Sequence, residues 1–183
     1  VLAGILSQDS IIPLDTKLAE HIPGFRLKDS VNTAELNIRH ILSHTSGLVP
    51  HAYDNLVEAK IPMSVIIDSL KRVNISARPG IYYGYQNVVF SLYDTLVSTI
   101  TGKQFPALLH EKLFEPFGMT DASAGMHGFS STTNIAYPHY RSGSSYRVLP
   151  LNDRYYNTNP AAGINASISD MAQFLLALSN KND

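Results

Sequence analysis

Tyr85 and Asn87 stand two positions apart in GIYYGYQNVVFSL, residues 80–92, where a glycine-bracketed stretch meets an apolar run with helical spacing. A phenol can donate and accept a hydrogen bond, and a carboxamide can donate through its nitrogen while accepting at its oxygen. Gly80 and Gly84 permit an irregular, close approach of backbone just ahead of the run. From this peptide alone, Asn87 reads as the N-cap of the helix that follows, and Tyr85 as an aromatic packed beside its first turn.

Other residues offer rival chemistry. His40 and His44 lie four apart on an expected helical face, the spacing of a zinc pair. Ile41 stands where the zincin motif has glutamate, and no later triplet supplies a third ligand, so the two read as partly buried, hydrogen-bonded histidines and no metal is expected. Ser46 lacks the G-x-S-x-G elbow of a hydrolase nucleophile and reads as a turn residue. Asp121 and Asp170 read as turn and cap carboxylates, not as an acid/base pair. The absence of cysteine rules out thiolate catalysis, disulfides and Cys-ligated zinc.

These side chains must be carried by a mainly helical chain. Its 183 residues, 44% apolar and 16% charged, suit one compact domain, expected over 1–183. Asn37 caps IRHILSH, with Gly47 as the expected stop. IPMSVIIDSLKRV aligns Ile66, Leu70 and Val73, and NVVFSLYDTLVSTITG aligns Val88, Val89, Leu92, Leu96 and Ile100 before Gly102. FPALLHEKLFEPFGM starts near Pro106 and halts at Pro116 and Gly118. The last helix begins with a capping box of Ser167 and Asp170, carries Ile168, Met171, Leu175 and Leu178, and runs to about Ser179. Strand signal is confined to a small hairpin in YPHYRSGSSYRVLPL, near residues 137–149. Fourteen basic residues against fifteen acidic ones give no reason to expect nucleic acid as partner, and no apolar run approaches the ~20 residues of a membrane helix.

Four pieces in order carry a resemblance: LNIRHILSHTSGL, PGIYYGYQNVVFSL, TGKQFPALLHEKLFEPFGMTDAS and NPAAGINASISDMAQFLLAL. Together they resemble the serine β-lactamase and penicillin-binding-protein family, in its class C and esterase-like branch, over essentially the whole chain. The resemblance implies the helical lobe of the β-lactamase/transpeptidase-like α/β fold, without most of the central sheet. It also implies acyl-enzyme hydrolysis of a small-molecule amide, lactam or ester, with no cofactor. Tyr85 then matches the family's proposed general base or proton shuttle, and Asn87 the residue that holds the substrate amide. His51 stands where cephalosporin-hydrolysing members carry a glutamine, and Gly163 lies in the matching NPAAGINAS segment, so both become expected pocket lining. A periplasmic or secreted location follows from the resemblance alone.

Two parts of the family's machinery have no match. None of the seven lysines has a serine three positions before it, and there is no Lys-x-Gly or His-x-Gly triplet. VLAGILSQDSIIPLDTKLAEHIPGF reads as the remainder of the helix that the nucleophile heads, so the serine is expected a couple of turns before Val1 and the closing strand after Asp183. A phenol free in water titrates near ~10 and needs cations beside it to serve as a base, so the segment is expected to be inactive alone. His51 in place of glutamine and Ala162 in place of an aromatic weaken a lactam assignment, leaving esterase, D-amino-acid peptidase and lactamase equally open. The alternative is a non-catalytic helical binding module or dead homologue. A lobe without its sheet is expected to self-associate through an uncovered apolar face.

Overall fold

The structure, a computed structural model, describes residues 1–179. The first group of helices comprises α1 (Leu2–Gln8), α2 (Leu18–His21), α3 (Ser30–Glu35), α4 (Ile38–Leu42), α5 (Asp54–Glu58) and α6 (Met63–Ser69). After a 3-10 turn at Leu70–Arg72 come the long α7 (Asn87–Thr101) and then α8 (Phe105–Leu109), which runs on into a π-helical turn over His110–Phe114. The remaining helices are α9 (Gly125–Ser130), α10 (Asn159–Ala162) and α11 (Ile168–Ser179). No helix among the described residues is long and apolar enough to cross a membrane.

α7 organises the core. Its inward stripe of Val88, Val89, Leu92, Leu96 and Val97 is buried, and α2, α4, α5, α8 and α10 all pack against it. Leu36, Ile38 and Ile41 from around α4, and Ile66 and Leu70 from α6 and its 3-10 extension, are fully enclosed in the same cluster. Each such side chain withdrawn from water contributes ~2 kcal/mol, which lets helices this short persist without autonomous stability. Gly102, at φ +70, closes α7 as expected.

The helix ends account for several differences from expectation. Asn37 does cap α4, in a reciprocal pair: its side chain accepts from the His40 amide, and its own amide donates to His40 Nδ1. The helix stops before Gly47, because Ser43 caps it and His44 takes the left-handed φ of +57. His40 and His44 therefore do not share a helical face. At α7 the N-cap is Gln86, with no side-chain cap bond, and Asn87 is the first helical residue. The capping reading of Asn87 is thus overturned: one residue of register moves its carboxamide off the helix end and frees it for tertiary contacts.

Two small ribbons complete the fold. β2 (His139–Ser142) and β3 (Ser145–Val148) form the expected hairpin, antiparallel and exposed along nearly its whole length. A second antiparallel pair, β1 (Ser123–Ala124) with β4 (Ile164–Asn165), was not expected, because two-residue strands leave no periodic signal. Ser167 and Asp170 cap α11 reciprocally, and Asp170 also accepts from the Asp121 amide. Burial pushes the Asp170 carboxyl up, but the hydrogen bonds from Ser167 and Asp121 outweigh it and hold it below the usual carboxylate range. Ile168, Met171, Leu175 and Leu178 face outward, against the expectation for a core-facing stripe. The inward stripe is instead Asp170, Phe174 and Ala177, with Phe174 against Phe117 at 6.2 Å between ring centroids.

Candidate active site

The site is built from two loops stitched edge to edge. The segment after α4 and the segment before α7 exchange backbone bonds: Gly80 N donates to Thr45 O and Gly84 N to His44 O, each at 2.8 Å. Farther along, His51 N donates to Tyr85 O at 2.8 Å, and the buried Gln86 side chain donates to Val49 O. Gly47, at φ +84, is the closest approach in this seam, since a Cβ there would stand 2.2 Å from Ala77 O. His44, His51 and Tyr53 also hold left-handed φ values, as Ser10 and Lys60 do elsewhere, a conformation that costs a non-glycine residue roughly 1 kcal/mol or more.

The seam puts Tyr85 at the surface, 38% exposed, above two imidazoles. Its ring centroid lies 4.5 Å from His44 and 5.3 Å from His51, and the other side of His44 stacks on Phe90 at 5.2 Å. Its hydroxyl donates to Asn87 Oδ1 at 3.0 Å. Asn87 Nδ2 in turn donates to Asp54 Oδ2 at 3.2 Å, and the same oxygen is 2.9 Å from His51 Nδ1. Phenol, carboxamide, carboxylate and imidazole thus form one continuous chain. Tyr85, Asn87 and His51, grouped in the sequence by the family resemblance alone, lie together in this cluster. Asp54, at the head of α5, went unnoticed, although the H-x-x-D spacing of His51 and Asp54 was the signal that could have found it.

Gly163 stands elsewhere. It ends α10, accepts from Gly125 N at 2.8 Å, and has no room for a side chain, since a Cβ would lie 2.4 Å from Asn159 Oδ1. Asn159 reaches Asp94 of α7, two turns beyond Asn87, where burial raises the carboxyl's pKa against hydrogen bonds from Ser98 and Asn159. Between these points, Phe90 and Tyr93 enter an apolar hollow of about 350 Å³ shared with Val1, Leu2 and Ala3 of the α1 end. Phe90 thus lines this hollow and also stacks on His44 beside Tyr85.

The rival candidates are occupied structurally. His40 Nδ1 is taken by the α4 cap, and His44 Nδ1 accepts from Gln86 N at 3.2 Å. Burial lowers the pKa of both rings, helped at His40 by Lys17. Ser46 is buried in its turn and accepts from Leu48 N. Among the described residues no group of three or more His, Asp or Glu is placed to hold a metal ion.

The helical body with short strands shares the β-lactamase/transpeptidase-type fold of solved structures. The octameric penicillin-binding-protein homologue from Pyrococcus abyssi superposes on all of this chain with a TM-score of 0.80 at 18% identity, covering 43% of its own length. EstCE1, a hydrolase with promiscuous acyltransferase activity, superposes on all of it at 0.75 and 16% identity, covering 56% of its length. The chain belongs to the β-lactamase family, whose family model matches residues 1–183. The unguisins hydrolase ungD' of Aspergillus campestris is 28% identical over 161 residues, which span 84% of this chain and 30% of that protein. The chain thus spans about a third of the length of that curated relative.

Proposed function

We propose that residues 1–183 are one folding unit, the helical lobe of a serine acyl hydrolase, contributing one wall of a site for a small-molecule amide, lactam or ester. In this reading Tyr85 relays the proton, Asn87 holds the substrate carbonyl or amide, and His51 lines the acyl side. Gly163, at the end of α10 and apart from the Tyr85 cluster, lines the wall as bare backbone, since Asn159 fills the space a side chain would take. The attacking hydroxyl comes from outside these residues, and the lobe alone is inactive. Exposed apolar residues on α11 support self-association of the isolated lobe.

The observation that carries the reading is the hydrogen-bonded pair of Tyr85 and Asn87 at an exposed rim instead of in the core. A tyrosine kept only for packing would bury its ring and would not present its hydroxyl beside an oriented carboxamide. The test compares residues 1–183 with the full polypeptide that the gene encodes, using a chromogenic cephalosporin and p-nitrophenyl acetate. The lobe should show no turnover, and the full polypeptide should hydrolyse at least one substrate. Tyr85→Phe in the latter should lower kcat about 100-fold or more, the usual scale of a lost proton-transfer group. Full activity in that variant would refute the assignment, and an inert full polypeptide would favour the non-catalytic alternative.

A further inference from the structure

We propose that Asp54 is a positioning residue that fixes which way the Asn87 carboxamide faces and thereby sets the site's preference for substrates bearing an acylamino group. The inference rests on the reading of Tyr85 and Asn87 given above. A carboxamide is nearly symmetrical in shape, so rotation by half a turn would exchange donor and acceptor ends. Here both ends have opposite demands on them. Tyr85 presents a hydroxyl proton to one end, and Asp54 presents a carboxylate oxygen to the other. Ionised Asp54 can only accept, so Asn87 must turn its nitrogen toward Asp54 and its oxygen toward Tyr85. One Nδ2 hydrogen is spent on Asp54, and the second is left, already oriented, for a substrate carbonyl.

Asp54 is held for this task. Its side chain is 18% exposed, and it opens α5 directly after left-handed Tyr53, whose hydroxyl donates to Ser69 O at 3.0 Å. Its Oδ2 receives both Asn87 Nδ2 and His51 Nδ1, while its Oδ1 is enclosed without a hydrogen-bond partner. A carboxylate in such a place is costly unless it is paired and hydrogen-bonded, and Asn87 and His51 supply those bonds at Oδ2. Removing it would free the carboxamide to rotate and release His51 together, and would reach the phenol only through its bond to Asn87 Oδ1 and its contact with the His51 ring.

The test uses Asp54→Ala and Asp54→Asn in the full encoded polypeptide, with the same two substrates. The cephalosporin carries an acylamino side chain for Asn87 to hold, and p-nitrophenyl acetate carries none. Asp54→Ala should raise KM for the cephalosporin about tenfold, the worth of one charged hydrogen bond, and should cost p-nitrophenyl acetate turnover several-fold less. Asp54→Asn keeps one acceptor for Asn87 and should recover most of the loss. In the 183-residue chain, one of the two Asn87 side-chain amide protons, the one donated to Asp54, should be shifted downfield and slow to exchange by NMR, and should lose both features in Asp54→Ala. Equal losses on both substrates, or an Asn87 amide pair unchanged by Asp54→Ala, would overturn the proposal. Failure of the underlying reading looks different: Tyr85→Phe and Asn87→Ala would then leave turnover of both substrates intact.

Discussion

His44 lies at the centre of the aromatic cluster around Tyr85. Its ring lies between Tyr85 and Phe90, with Tyr83 edge-on at 6.0 Å, and its Nδ1 accepts from the Gln86 amide. Only the neutral ring can accept that bond, and burial lowers its pKa accordingly. The unfolded chain, near the ordinary value of ~6.5, therefore takes up the proton first as pH falls. The stabilisation is complete above that value and is lost as pH drops through the lower, folded one, so stability rises with pH across this window. Urea unfolding followed between pH 7.5 and pH 5 should show the midpoint falling on acidification, with a shallower fall in His44→Gln. A midpoint independent of pH would show that the ring is not held neutral. The same stacking explains why sequence spacing misread the residue, for a helix-period match with His40 carries no information about a left-handed turn.

At the scale of elements, the seam between the two loops matters more than any helix. Gly47 shows how tight it is, combining a left-handed φ with backbone 2.2 Å from where a Cβ would stand. Gly47→Ala should lower stability by at least ~2 kcal/mol, since both the strained conformation and the contact with Ala77 O must be relieved. Thermal unfolding checks the loss, and a melting point within a degree of wild type would mean that the seam is loose. Because His51 and Tyr85 are joined across this seam, the same variant should also broaden the Tyr85 and His51 NMR signals. The segment that follows the hairpin braces the same neighbourhood from the other side. Tyr155 donates to Glu58 at 2.6 Å, which pushes the phenol's pKa up to about 12, and Lys60 pairs with Asp153. α5, which carries Asp54 at its head, is thereby tied at its C-terminal end to one distant stretch of chain.

At the scale of the molecule, the outward face of α11 is the conspicuous feature. Leu175, Leu176 and Leu178 are each more than half exposed, and Ile168 is 87% exposed. Apolar side chains gathered on one helix face associate readily. Sedimentation velocity of residues 1–183 should show dimers or larger species at high concentration, and Leu175→Lys with Leu176→Lys should return a monomer; a clean wild-type monomer would refute the expectation. What the sequence determined by itself was local. The α4 cap at Asn37, the Ser167 and Asp170 box, the α7 stripe closed by Gly102 and the hairpin each depend on residues a few positions apart. Tertiary structure decided the rest: which face of α11 turns inward, that Asn87 forgoes capping to reach Asp54, and that His44 leaves its helix to stack under Tyr85. Those outcomes follow from contacts between residues 30 or more positions apart, such as Asn87 with Asp54 and Asp121 with Asp170, whose energies no periodicity in a short window can record.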